Sequence, residues 1–325
     1  MERARLSERR APAEAIGWYD RALASLSGQW SEMLVDVLRW KGRAHRECGD
    51  TAEADRLYER SAEIARELRY VVGEAHAANS RGIIAQRRGD LIGAEHLYRE
   101  AHELAQRADD ARLLSMVWRN LGTLAATRGV PEQALAHYEE SLRIAQTLND
   151  EDGISRALNN IGMLYSEHGR NQDAEDLFER VLQMARTRGD AAVECTALLN
   201  LGELRLRTER LEQAEAGCLE ALTIADRRGD RLRRAEALRV LAEIWAARGE
   251  LERCASALEE ALILTSNGED AMLTAEIWRA QATLCRHRNA PASARLALGK
   301  ARDLFTEAGA WRQVATVDAA IKQLS

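Results

Sequence analysis

Arginine and asparagine side chains recur along this sequence in an arrangement that suits binding better than catalysis. Arg39, Arg43 and Arg46 stand at positions i, i+4 and i+7, so a helix places all three on one face. A guanidinium group can bind a carboxylate through two parallel hydrogen bonds, and an Asn amide both donates and accepts. A surface that combines these groups can hold a peptide backbone together with an acidic side chain or a terminal carboxylate.

The sequence shows no motif for catalysis or metal binding. It contains no glycine-rich dinucleotide loop, no Walker loop, no HExxH and no GxSxG. His96 and His102 lie six residues apart, which points them to different faces of a helix. We therefore expect no catalytic residue, no metal and no cofactor. An active site assembled across separate elements is the alternative that motifs cannot reveal.

Composition and charge exclude several classes of protein. The 325 residues include three prolines and carry a net charge of −6, which argues against a general nucleic-acid binder. No apolar run approaches the roughly 18 to 20 residues of a membrane span. The opening MERARLSERR precedes no apolar segment, and the five cysteines form no CxxC pair. We expect a cytoplasmic, mostly helical protein with no membrane segment and no direct contact with nucleic acid.

A forty-residue repeat runs through the chain without a gap. One column of small residues at this spacing reads Gly42, Gly82, Gly122, Gly162, Gly202, Ala242 and Ala282. The column sixteen residues later reads Tyr58, Tyr98, Tyr138, Phe178, Cys218, Leu258 and Leu298. A small residue at a helix contact lets two backbones approach, and a large neighbour fills the adjoining space. Equal units of this kind bury their apolar faces only by stacking on one another.

Each forty-residue unit predicts two helices separated by a turn. In the fourth unit, Leu158, Ile161 and Tyr165 have helical spacing, and Gly169 follows where the first helix should end. All three prolines fall at the start of the second helix: Pro131 and Pro291 share one column, and Pro12 corresponds to it with the one-residue offset of the N-terminal partial repeat. A proline is tolerated there because its missing N–H would have no partner in the helix. The chain is therefore predicted to be all-α.

The repeats predict one elongated domain covering residues 1–325. A half-repeat is expected at 1–30, and an amphipathic helix at 311–325 is expected to cap the other end. The seven full repeats between them are expected at 31–70, 71–110, 111–150, 151–190, 191–230, 231–270 and 271–310.

The third unit carries a recognisable helix-pair signature in Trp118, Leu121, Gly122, Ala134 and Tyr138. Through these residues the sequence resembles the tetratricopeptide repeat family, in its long variety with a unit of about forty residues. The resemblance implies an all-α fold, a right-handed solenoid superhelix of stacked antiparallel helix pairs. It also implies that the first helix of each pair lines a concave groove, which in this family typically binds peptides.

Three units depart from the family pattern. Lys41, Arg81 and Gln281 stand in a column that holds leucine or isoleucine in the other units. The terminal units of a solenoid differ from the rest because they cap the stack. Arg81 is not in a terminal unit, so we expect its long side chain to carry its charge to the surface.

The resemblance also implies, by register, which residues line the groove. The candidate peptide-binding residues are Arg39, Arg43, Arg46, Asn79, Arg119, Asn120, Asn159, Asn160, Asn200, Arg239, Arg279 and Arg286. The asparagines either serve the groove or bond a neighbouring repeat, and both interpretations stay open. The arginines either hold an acidic segment or a peptide C-terminus, or are ordinary solvated side chains in a chain with three lysines.

These observations favour a non-enzymatic scaffold that binds a protein or peptide partner, with acidic segments as the preferred ligand. The alternative is a ligand- or peptide-sensing module of a larger bacterial signalling ATPase or transcription regulator. An ATPase or DNA-binding segment encoded just upstream would distinguish the two. The sequence leaves the partner and the oligomeric state open.

Overall fold

The computed structural model of the chain describes residues 12–26, 28–266 and 270–324. Residues 1–11 of the expected half-repeat lie outside this description, as do residues 27, 267–269 and 325. The described residues form helices joined by short turns and contain no strand, so the predicted all-α fold is confirmed. No helix among them is long and apolar enough to cross a membrane.

Sixteen helices cover the described residues. Their bounds are α1 Pro12–Ser25, α2 Glu32–Glu47, α3 Thr51–Glu67, α4 Val71–Arg87, α5 Leu91–Arg107, α6 Ala111–Thr127, α7 Pro131–Thr147, α8 Glu151–Glu167, α9 Asn171–Arg188, α10 Ala191–Arg207, α11 Leu211–Arg228, α12 Arg231–Ala247, α13 Leu251–Leu264, α14 Ala271–His287, α15 Pro291–Glu307 and α16 Trp311–Lys322. Even-numbered helices from α2 to α14 are the first helices of the predicted repeats, and odd-numbered helices from α3 to α15 are the second.

The helices divide into two compact units. The N-terminal unit comprises the described residues up to Gln86 together with Asp90–Val193. The C-terminal unit comprises Arg87–Gly89 together with the described residues from Glu194 onward. Within each unit, helices that follow one another in sequence pack side by side, for example α6 against α7 and α14 against α15. This arrangement of stacked helix pairs is the all-α solenoid that the sequence predicts.

Short turns with one left-handed residue end the helices. Gly129 and Gly169 both have a φ of 76°, a backbone conformation that glycine adopts without steric cost. Asp109 and Asn149 take the same conformation at φ 51° and 50°, which short polar side chains tolerate. Glu209 has a φ of 60° in the column that Gly129 and Gly169 occupy, and its longer side chain makes that turn less favourable.

Aspartate and proline start many of the helices. Six aspartates accept a hydrogen bond from the backbone N–H three residues later: Asp50, Asp90, Asp110, Asp190, Asp230 and Asp270. Each such cap satisfies a donor that has no partner inside the helix and contributes about 1 kcal/mol. Pro131 and Pro291 occupy the first turns of α7 and α15, as the sequence predicts.

The column of glycines receives the rings of the second helix. A Cβ atom added to Gly122 would lie 2.5 Å from the ring of Tyr138, and one added to Gly162 would lie 2.7 Å from the ring of Phe178. Both rings are buried. A side chain at either glycine would displace the ring, so the predicted close contact of the two helices is confirmed at both sites.

In the last repeat, alanine and leucine replace the glycine and the ring. Ala282 and Leu298 stand in the glycine and ring columns of the last repeat, and both belong to one buried cluster of the C-terminal unit. Leucine is shorter than tyrosine, so it leaves room for the extra methyl group. The last repeat thus keeps about the same combined volume as glycine with tyrosine by different means.

Ion pairs accommodate the charged residues in the leucine column. The Lys41 Nζ atom lies 2.7 Å from Asp20 Oδ1, and Arg81 Nη2 lies 3.7 Å from Glu59 Oε1. Asp20 and Glu59 both lie on exposed parts of the preceding second-type helix. Each long side chain therefore packs its aliphatic part at a partly buried site and carries its charge to a surface carboxylate, as expected for Arg81.

Candidate functional site

Asparagine side chains link the first helices of the N-terminal unit. Asn120 Nδ2 on α6 donates to Asn79 Oδ1 on α4 at 2.7 Å. Asn160 Nδ2 on α8 approaches Thr123 Oγ1 on α6 at 3.4 Å. Asn79 is buried, whereas Asn120 and Asn160 are partly exposed. We call Asn79, Asn120, Thr123 and Asn160 the amide ladder, and its bonds show that these asparagines do bond neighbouring repeats.

A hydroxyl group on α6 organises the centre of the ladder. Thr123 Oγ1 donates to its own helix at the Arg119 carbonyl oxygen at 3.1 Å, so its oxygen accepts from the side chains around it. One of those donors is Asn160, and the other is the Tyr138 hydroxyl at 3.3 Å. Tyr138 is the ring that occupies the Gly122 notch, so core packing and the amide ladder share a residue. Sequence reasoning did not identify Thr123.

A second polar row extends the ladder by two turns. The Tyr98 hydroxyl donates to Gln86 Oε1 at 2.9 Å, and Gln86 Nε2 lies 3.5 Å from Thr127 Oγ1 on α6. Sequence reasoning also missed Gln86 and Thr127. The available signal was their separation of 41 residues, which equals the separation of Asn79 and Asn120.

Arg119 lies beside the amide ladder without an anionic partner. Its side chain is partly buried, and it makes no ion pair or hydrogen bond to any residue that the structure describes. Burial, together with the positive charge of Arg156, lowers the pKa of Arg119 to about 10, while Asp150 acts in the opposite direction. At neutral pH the guanidinium group therefore keeps its charge in a site that disfavours charge.

The remaining candidates of the N-terminal unit have partners within the protein. Arg39 Nη2 binds Asp36 at 3.0 Å, and Arg46 Nη2 binds Glu47 at 2.6 Å. Arg43 is exposed, and Asn159 is buried with its Nδ2 atom 3.7 Å from Met163 Sδ. The basic triad predicted on α2 is therefore partly neutralised by local carboxylates.

The corresponding face of the C-terminal unit carries an ion-pair network. Arg239 on α12 is buried and binds Glu203 of α10 and Glu243 of its own helix, the latter at 3.0 Å. Arg279 Nη2 binds Glu276 Oε2 on α14 at 2.6 Å, yet burial outweighs that pairing and raises the pKa of Glu276. The arginines predicted here as ligand-binding residues thus neutralise carboxylates of the protein itself.

Two further candidates belong to the C-terminal unit. Asn200 is partly buried on α10, and Arg286 is exposed near the end of α14. Sequence reasoning missed the carboxylates of the network, although Glu203 and Glu243 share a column of the repeat, as do Glu236 and Glu276.

Buried cysteines are unsuited to nucleophilic chemistry. Burial raises the pKa of the Cys195 and Cys218 thiols to about 12 and that of Cys254 to about 11, so all three are protonated at neutral pH. Within the described ranges, no group of three or more His, Cys, Asp or Glu side chains is arranged to hold a metal ion.

A surface pocket of about 510 Å³ lies in the N-terminal unit between the ends of adjacent repeats. Its charged side chains bind one another: Arg112 makes two hydrogen bonds to Asp150, at 3.0 and 2.8 Å, and Arg188 binds Asp152. Asp150 and Asp152 are therefore already engaged. Because these charged side chains already bind one another, the pocket is a weaker candidate for ligand binding than the unpaired guanidinium group of Arg119.

Comparison with known proteins identifies the repeat in the N-terminal part of the chain. Two family models described as tetratricopeptide repeat match, one over residues 73–147 and 109–187 and the other over residues 41–69. A search among curated protein sequences gives no significant match.

Several solved structures share the fold. A Rap protein complexed with Competence and Sporulation Factor has a TM-score of 0.67 at 13% identity, over 97% of this chain and 95% of that one. A tetratricopeptide repeat protein from Parabacteroides merdae has a TM-score of 0.53 at 16% identity, over 90% and 99%. A signal transduction ATPase with a tetratricopeptide repeat sensor, from Pyrococcus horikoshii, has a TM-score of 0.58 at 13% identity, over 96% and 52%. At sequence identities this low, the likeness to these structures shows a shared fold.

Proposed function

Because the chain belongs to the tetratricopeptide repeat family, we propose that it is a non-enzymatic scaffold that captures a peptide or a segment of a partner protein. The proposed binding surface is the face of the N-terminal unit formed by the first helices α4, α6 and α8. The observation that carries this proposal is the amide ladder with the unpaired Arg119 beside it. A preference for acidic or carboxylate-bearing segments follows from the same arginine.

The amide ladder can bind a peptide backbone without regard to its sequence. An Asn amide has two N–H donors and an oxygen with two lone pairs, so the bond between Asn120 and Asn79 leaves further capacity. Asn79 is 2% exposed, which leaves Asn120 and Asn160 as the accessible members. Their bonds to neighbouring helices fix their orientation, and a fixed donor loses less entropy on binding than a mobile one.

Electrostatics favour an acidic ligand at this face. Arg119 retains its positive charge in a partly buried position, where a charge-assisted hydrogen bond is stronger than it would be in bulk water. A carboxylate of the ligand would supply the ion pair that Arg119 lacks in the folded chain. The net charge of −6 slows the approach of acidic partners in general, so the preference depends on this local site.

The alternative function is a peptide-sensing regulatory module. The Rap protein that shares this fold is complexed with Competence and Sporulation Factor, and the likeness covers 97% of the present chain. The Pyrococcus horikoshii protein carries its repeats as a sensor. In a sensor, the bound peptide would shift an equilibrium between two conformations of the repeats. Small-angle scattering with and without a captured peptide distinguishes the two functions, because a plain scaffold keeps its radius of gyration.

An array of acidic and neutral peptides, probed with the intact chain, tests the proposed function. We expect acidic peptides to be retained, and Asn120→Ala or Asn160→Ala to weaken binding about fivefold, the equivalent of one hydrogen bond of about 1 kcal/mol. Asn171→Ala is the matched control, since Asn171 is an exposed asparagine on α9. Failure to retain any peptide, or unchanged binding by both ladder variants, would refute the proposed surface.

A further inference from the structure

We infer that Arg119 and Arg156 form a subsite for a phosphorylated side chain of the bound peptide. The inference rests on the proposed peptide-binding function and adds the chemical class of one ligand group. A phosphorylated side chain carries a charge of about −1.5 to −2 at neutral pH and offers three acceptor oxygens.

The two arginines are neighbours because of the register of the amide ladder. Arg119 and Thr123 stand one turn apart on α6, and Arg156 and Asn160 stand one turn apart on α8. The bond between Asn160 and Thr123 sets these two rows side by side. Helices α6 and α8 run parallel, since α7 reverses the chain between them, so the residues one turn earlier also face each other. The effect of Arg156 on the pKa of Arg119 agrees with this proximity.

Neither guanidinium group has a partner in the described part of the chain. Arg119 and Arg156 make no ion pair and no side-chain hydrogen bond there. Asp150, the nearby carboxylate that favours the charged form of Arg119, is held by two hydrogen bonds from Arg112. Asp152 is bound by Arg188. Two positive charges therefore lie together while the neighbouring carboxylates serve other cations.

The charge of the site selects a dianion over a single carboxylate. One carboxylate neutralises one guanidinium group and leaves the site with a net charge of about +1, whereas a phosphate dianion can neutralise both groups. A phosphate group accepts hydrogen bonds from both forks at once, and guanidinium groups match the geometry of phosphate oxygens. Arg119 is partly buried and Arg156 is exposed, so the site opens to the solvent from which a phosphorylated side chain would enter.

Small probes test this subsite in the intact chain without knowledge of the partner. The probes are N-acetyl-O-phosphoserine N-methylamide, the matching N-acetylglutamate N-methylamide, and inorganic phosphate, all at one ionic strength. Binding is followed by NMR through the side-chain Nε–H resonances of Arg119 and Arg156, each assigned by its loss in the Arg→Gln variant. Arg143→Gln is the control, since Arg143 is an exposed arginine that pairs with Glu140 on α7.

We expect the phosphoserine probe to bind about tenfold more tightly than the glutamate probe and to lose that advantage in Arg119→Gln, with Arg143→Gln unchanged. We also expect the unfolding midpoint of Arg119→Gln to equal or exceed that of the wild type, because the substitution removes an uncompensated charge. Equal binding of the two probes, phosphoserine binding that survives Arg119→Gln, or a lowered midpoint in Arg119→Gln would overturn the inference. If inorganic phosphate binds as tightly as the phosphoserine probe, the site recognises free phosphate rather than a phosphorylated side chain of a peptide, and the inference is wrong in that respect.

The outcome also separates this inference from the proposed function. If the peptide array retains acidic peptides but the two small probes bind equally, the phosphate subsite fails and the scaffold stands. If phosphoserine binds at Arg119 but no peptide is retained, the scaffold fails as proposed.

Discussion

Substitution of Gly122 by alanine tests the packing on which the whole arrangement of helices depends. The added Cβ atom would lie 2.5 Å from the Cδ1 and Cε1 atoms of Tyr138, where an ordinary contact is about 3.4 to 4 Å. The ring must therefore move by about 1 Å. Tyr138 is buried and its hydroxyl group donates to Thr123, so the movement also strains a hydrogen bond.

The expected loss of stability follows from three contributions. Overpacking of a close contact costs about 1–3 kcal/mol. Loss of the Tyr138 hydrogen bond adds about 0.5–1.5 kcal/mol, whereas replacing glycine by alanine inside a helix contributes about 1 kcal/mol of stabilisation. The balance is a net destabilisation of about 0.5–3.5 kcal/mol, read as a lower urea midpoint in circular dichroism at the helical band.

Two variants make this measurement specific. Gly299 lies inside α15 with open space where a Cβ would be placed, so Gly299→Ala should raise stability by about 1 kcal/mol. The double variant Gly122→Ala with Tyr138→Leu recreates the alanine and leucine combination of the last repeat, and should lose less stability than the two single variants added together. If Gly122→Ala were as stable as Gly299→Ala, the contact described for Tyr138 would be wrong.

Three further substitutions probe the turns and the ion-pair network. Glu209→Gly should raise the urea midpoint, with a gain of up to about 1 kcal/mol, because glycine adopts the φ of 60° without strain. Arg239→Met should cost about 3–5 kcal/mol in thermal or urea unfolding, because it leaves Glu203 and Glu243 without their shared cation. Burial raises the pKa of Glu276 above its ordinary 4.5, so its contribution to stability is present at lower pH and is lost as pH rises through the folded-state pKa. Glu276→Gln should therefore match the wild type near pH 4 and become relatively more stable towards pH 7, and a constant difference across that range would contradict this.

The sequence predicts the helix pairs well because the signals for them are local. Gly122 and Tyr138 are sixteen residues apart, and a small and a large residue at that spacing already describe how one helix rests on the next. The turn glycines and Pro131 give helix ends for equally local reasons. Repetition at forty residues then identifies the same pair again in the following unit.

The polar surface is less predictable because it depends on pairs of unlike residues in different repeats. Gln86 and Thr127 share no column, and their separation of 41 residues becomes a recognisable signal only once α4 is seen to lie beside α6. Sequence reasoning treated Arg119 and Arg239 as equivalent members of one column. The structure separates them, because Arg239 lies among carboxylates whereas Arg119 does not. Burial and the charges of neighbours decide that difference, and neither is visible in a column.

The glycine–ring contacts within a repeat and the polar contacts between repeats respond differently to the gain or loss of a whole repeat. Gly122 and Tyr138 both belong to residues 111–150, so removal of that block leaves Gly82 with Tyr98 and Gly162 with Phe178. The same deletion would place Asn160 where Asn120 now faces Asn79, preserving an amide pair. It would set Glu167 in the place of Thr127 beside Gln86. Duplication or deletion of a forty-residue unit would thus keep the contacts within each helix pair and change some of the polar contacts between repeats.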